Sequence, residues 1–66
     1  MKYSIERKQP NLWKVYNEEE GETYVVFNGK ELVCECKFYR TKHFCKHIRS
    51  VVYSLITGTN IMEEEE

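Results

Sequence analysis

The chain has 66 residues, is 41% hydrophobic and 14% aromatic, and carries a formal net charge of −1. These values exclude a disordered segment and leave room for one small core and no second one. A core of this size supplies no more than about 3–5 kcal/mol, so a disulfide, a metal or a partner is expected to complete the fold.

In chain order, residues 3–7 (YSIER) alternate loosely and predict a first strand, ended by the turn signal Gln9-Pro10-Asn11. Residues 12–16 (LWKVY) are aromatic and β-branched enough for a second strand, and residues 17–21 read as a connection whose glutamates are solvated. Residues 23–27 (TYVVF) are the strongest strand by residue type. Asn28-Gly29 follows, a pair suited to the positive φ angles of a two-residue hairpin turn. Residues 32–36 (LVCEC) return as the partner strand, with Leu32 facing Val25, and Val25, Leu32, Cys34 and Cys36 on one side of the sheet. After a loop, Ile48, Val51, Val52, Leu55 and Ile56 recur at i, i+3, i+4, i+7 and i+8, the period of one helical face, with Arg49, Ser50 and Ser54 opposite and Gly58 as C-cap. The expected fold class is α+β: a three- or four-stranded antiparallel sheet followed by one C-terminal α-helix. Residues 1–58 form the single domain, and 59–66 are expected to be a frayed, disordered acidic tail.

All three cysteines and both histidines lie in CECKFYRTKHFCKH, residues 34–47. Cys34, Cys36, Cys45 and His47 give the spacing C-x-C-x8-C-x-H. Residues i and i+2 of a strand point the same way, so Cys34 and Cys36 offer two thiols on one face. Two residues on a regular helix diverge by ~200°, so Cys45 should precede the first turn and His47 lie within it, both turned back toward the strand. Four such donors close a tetrahedral shell, the form of structural zinc, with a formal site charge of −1. The helix N-terminus and the nearby Lys37, Arg40, Lys42, Lys46 and Arg49 are expected to favour thiolates there. An odd number of cysteines fits a disulfide scaffold poorly. A catalytic Cys45–His47 pair lacks an orienting third group, and a catalytic zinc would need an open coordination position. His43 is the alternative to His47, in the spacing C-x-C-x6-H-x-C; His47 is preferred because it lies on the helix beside Ile48.

These residues resemble the SWIM-type zinc finger, whose signature is C-x-C, a variable gap, then C-x-H. The context is similar too: Trp13 and Val15 match an upstream strand, Tyr24-Val25-Val26 the strand before the ligands, and the C-K-H-I run the helix start. The resemblance covers residues 12–57. It implies a β-hairpin and helix around one structural zinc held by Cys34, Cys36, Cys45 and His47, and a role in binding DNA or protein. Arg49 stands where the family has a small residue.

The charges are segregated. Residues 17–29 carry Glu18, Glu19, Glu20 and Glu22 without a base, residues 30–50 hold six bases against Glu31 and Glu35, and the last four residues are all Glu. The gap between the ligands interleaves bases with aromatics, as a nucleic-acid surface does, with Lys37, Arg40, Lys42, Lys46 and Arg49 set to meet phosphates and Phe38 or Tyr39 to stack on bases. The alternative is an adaptor that binds a larger protein or a second copy, because Tyr3, Tyr16, Tyr39 and Tyr53 exceed what so small a core can bury. The tail over 63–66 is either a solvated end or a cover for the basic surface. No acid–base pair, phosphate loop or open metal site points to an enzyme or a small-molecule substrate. No apolar stretch suits a signal peptide or a membrane span, so an intracellular place, cytoplasm or nucleoid or nucleus, is expected.

Overall fold

The computed structural model describes residues 1–63. Its elements run β1 (Lys2–Gln9), β2 (Leu12–Asn17), β3 (Gly21–Phe27), β4 (Leu32–Cys34), α1 (Lys37–Lys42), α2 (Lys46–Thr57) and β5 (Ile61–Glu63). The strands form one five-stranded antiparallel sheet in the order β4-β3-β2-β1-β5. Helix α2 packs across one face of it.

Period-two alternation sorts the side chains. Tyr3 and Ile5 of β1, Trp13 and Val15 of β2, Val25 of β3 and Cys34 of β4 are buried beneath α2, which adds Ile48 and Val51. Each such side chain contributes on the order of 1.5–3 kcal/mol when fully buried. The opposite face is open to solvent. There Lys14 lies 3.4 Å from Glu6 and 3.6 Å from Glu22, an exposed bridge across three strands that adds little to stability.

The sheet has a strand more than expected, because the presumed tail supplies β5. Residues 61–63 pair with β1, setting Met62 opposite Tyr3 in the core, and Asn60 O accepts the Ile5 amide at 2.8 Å. Three residues are too few to show a period, so one buried methionine and the vacant edge of β1 decide the matter. Residues 64–66, and with them most of the acidic tail proposed as a cover, lie outside the described residues.

The β3–β4 hairpin is also looser than a two-residue turn. Its loop spans residues 28–31, where Asn28 Oδ1 accepts the amides of Lys30 and Glu31 at 2.9 and 3.0 Å. Val25 therefore pairs with Cys34 and Phe27 with Leu32. The register moves by two residues relative to the expectation, so every side chain keeps its face.

The segment between the ligand pairs, expected to be a loop, is helix α1. It ends at His43, whose φ of 57° is left-handed and whose amide donates to Tyr39 O at 2.8 Å. Tyr3 is buried, against its assignment to a surplus of surface tyrosines. No described helix is long and apolar enough to cross a membrane.

Candidate metal centre

Cys34 ends β4, and Cys36 stands at the N-cap of α1 rather than inside a strand. Its φ of −74° and ψ of 163° are still extended, so the alternation that aims both thiols the same way survives the end of sheet pairing. Cys45 is the N-cap of α2, and His47 lies in that helix's first turn, as the spacing predicts. One donor atom from each of Cys34, Cys36, Cys45 and His47 lies within 4.8 Å of all the others. Cys34, Cys45 and His47 are buried and Cys36 is half-buried. His43 is outside the cluster, exposed at the end of α1 with its ring edge against Tyr39.

The donors fit a zinc ion. Zn–S bonds of about 2.3 Å and Zn–N bonds of about 2.0–2.1 Å at tetrahedral angles put neighbouring donor atoms roughly 3.5–3.8 Å apart. Cys34 Sγ and His47 Nδ1 are 3.7 Å apart, one edge of such a tetrahedron. Three soft thiolates and one imidazole suit zinc and exclude calcium or magnesium. Bound there, zinc would tie β4 and the start of α1 to the start of α2.

Electrostatics correct one expectation. Burial pushes the Cys34 and Cys45 thiols up rather than down. The Ile48 amide near the start of α2 does pull Cys45 the other way, as a helix N-terminus should, but desolvation outweighs it. The basic side chains are exposed, and solvent screens them. A cation bound inside the cluster would stabilise the thiolates there.

The SWIM zinc finger family model matches residues 15–56. The chain belongs to the SWIM zinc finger family. No curated protein and no solved structure matches it. The SWIM match contains all the donors, but Tyr3, Ile5, Trp13 and Met62 of the core lie outside it. In this SWIM domain, β1 and β5 complete the layer that α2 covers.

At its metal end α2 turns His47 inward. Its buried residues are His47, Ile48, Ser50 and Val51, so the face toward the sheet follows His47 at i+3 and i+4. The predicted apolar face shares only Ile48 and Val51 with it. Val52, Leu55 and Ile56 are exposed, and Ser50, assigned to the outer face, is fully buried with its hydroxyl donating to His47 O at 2.7 Å.

The five basic residues divide between the helices, with Lys37, Arg40 and Lys42 on α1 and Lys46 and Arg49 on α2, and all are exposed. Lys46 and Arg49 border a largely apolar groove of about 250 Å³ beside the metal centre, flanked by Phe38 and Phe44.

Sequence reasoning missed Asn17, Glu20 and Tyr3. The Tyr3 ring meets the His47 ring edge-on, with centroids 6.1 Å apart. Glu20 Oε2 comes within 2.9 Å of His47 Nε2. The run of three glutamates in the connection gave no sign that one of them turns inward.

Proposed function

We propose that the chain is a nucleic-acid-binding module, that its ligand is single-stranded, and that its role is binding rather than catalysis. The observation that carries this reading is the groove: Phe38 and Phe44 are 61% and 54% exposed on its walls, while Lys46 and Arg49 lie on its rim. Exposed phenylalanines of that size favour the stacking of an unpaired base. The bases of α1 and α2 then meet the flanking phosphates. α1 is a helix of six residues, short for reading a duplex groove. Four donors would fill the zinc shell and leave no position for a substrate.

The test is a titration of zinc-loaded protein with single-stranded and duplex DNA at several salt concentrations. About four phosphate contacts give a log–log slope near −2.8 on a single strand and near −3.6 on a duplex. The single strand should bind more tightly. Phe38→Ala with Phe44→Ala should weaken binding by roughly 1–3 kcal/mol per stacked base, and Lys42→Glu with Lys46→Glu should reduce the slope. Affinity unmoved by either pair refutes the reading.

A second reading, a protein-interaction adaptor or homodimer, is favoured by the bare apolar strip on α2. Leu55 and Ile56 are 53% and 78% exposed. Sedimentation of the zinc-loaded protein separates the two: a concentration-dependent dimer abolished by Ile56→Glu, with no DNA binding, supports the adaptor.

A further inference from the structure

Asn17 is almost fully buried at the end of β2, and its side-chain Oδ1 accepts the amides of Glu19 at 2.8 Å and Glu20 at 3.2 Å. These two bonds fold the chain back on itself. Gly21 completes the reversal at a φ of 78°, a left-handed conformation that suits glycine. The turn sets the Glu20 carboxylate over the buried His47 ring, with Oε2 2.9 Å from Nε2. On the other side of the ring, Nδ1 faces Cys34 Sγ at 3.7 Å.

We propose that Glu20 is a positioning residue for the metal centre: it takes the Nε2 proton of His47 as a hydrogen bond, and so presents Nδ1 to the zinc. The inference rests on the zinc site; Glu20 also lines the groove, and zinc affinity reads its role with no groove ligand present.

A neutral imidazole carries one proton, and a nitrogen that ligates a metal cannot hold it. With Nδ1 turned to the thiols, the proton belongs on Nε2, which is buried and has no aligned hydrogen bond. Left without an acceptor, a buried N–H is costly. Glu20 stands within reach, and its side chain is 44% exposed on the solvent side. Its last torsion is soft, so a small turn of the carboxylate completes the bond. Tyr3 closes the remaining side of the ring edge-on. Glu18 and Glu19, of like charge in the same turn, are exposed.

Competition with a chromophoric chelator of known affinity measures zinc binding to the full chain and its variants. Glu20→Ala should weaken zinc roughly 10–100-fold, the usual effect of removing a ligand's outer partner. Glu20→Gln keeps an acceptor oxygen and should recover most of that loss, while Glu18→Gln should change nothing. Nitrogen-15 NMR of the zinc-loaded protein reads the ring directly. The parent should show a metal-bound Nδ1 and a slowly exchanging Nε2 proton, and Glu20→Ala should lose the slow exchange. The proposal is overturned if Glu20→Ala binds zinc within twofold of the parent, if Glu18→Gln loses as much, or if Nε2 proves to be the ligating atom. The parent spectrum needs no variant, so a ligating Nε2 or a rapidly exchanging Nε2 proton there overturns the proposal even if Glu20→Ala folds poorly.

Discussion

Two loops of this protein use the same local device and come to different ends. In the β2–β3 loop Asn17 Oδ1 accepts two amides, and in the β3–β4 loop Asn28 Oδ1 does the same. Each is followed by a glycine at positive φ, Gly21 at 78° and Gly29 at 97°. Yet Asn17 is 1% exposed and its loop delivers a carboxylate to a buried histidine, whereas Asn28 faces solvent and its loop is exposed throughout. A side chain mimicking a backbone turn is a local event. What the turn achieves depends on what is packed beside it, and for Asn17 that neighbour is the metal centre.

Removing the metal should erase the difference most completely. Structural zinc contributes roughly 10–16 kcal/mol in small fingers, against a few kcal/mol for a core of this size. A strong chelator should therefore abolish the cooperative thermal transition seen by circular dichroism and leave both loops equally unprotected against hydrogen exchange. A sharp transition unchanged by chelator would show that the core alone holds the Asn17 loop.

Acidity attacks only the metal-linked loop. Zinc must displace protons from thiols that burial holds up, so its affinity should fall by on the order of tenfold per pH unit for each proton displaced. Zinc-loaded stability is thus lost as pH drops. Any metal-free fold behaves in the opposite sense. Its Cys34 and Cys45 pKa values are raised above the ordinary thiol value of 9.0, so their contribution is full below that value and lost as pH climbs above it. Thermal melts of the zinc-loaded protein from about pH 5 to pH 8 should show the transition moving up with pH, and a flat profile would mean that zinc displaces no thiol protons.

Substitution tests the two asparagines directly. Asn17→Ala strands two amides and opens a buried site, and should cost about 1–3 kcal/mol of zinc-loaded stability with a measurable loss of zinc affinity. Asn28→Ala should cost about 0.5–1 kcal/mol and leave zinc affinity alone, because water replaces the lost bonds. Equal effects in denaturant melts would mean that the burial of Asn17 has no consequence. Smallest of all should be Ile56→Ser at the exposed end of α2, expected within about 0.5 kcal/mol of the parent.

The donor set was legible because its chemistry is local. Soft ligands in C-x-C and C-x-H spacing, a strand's alternation and a helix cap each involve a few neighbouring residues, and Cys45 stands at the cap where the spacing puts it. The α1 helix was less so: its six residues bury no complete side, so no apolar period marks them. β5 was hidden for a similar reason, being a three-residue strand defined by its partner.

By itself, then, the sequence determined which residues can bind zinc, the order of the first four strands and the long helix, and the place of the turns between those strands. Only the tertiary structure decided the rotation of α2, the fifth strand at the edge of β1, and the approach of Glu20 to His47. Periodicity can say that a helix has an apolar face, but not which way that face points. Here α2 turns His47, Ile48 and Val51 toward the sheet, while Leu55, on the same side one turn further along, and Ile56 stay exposed.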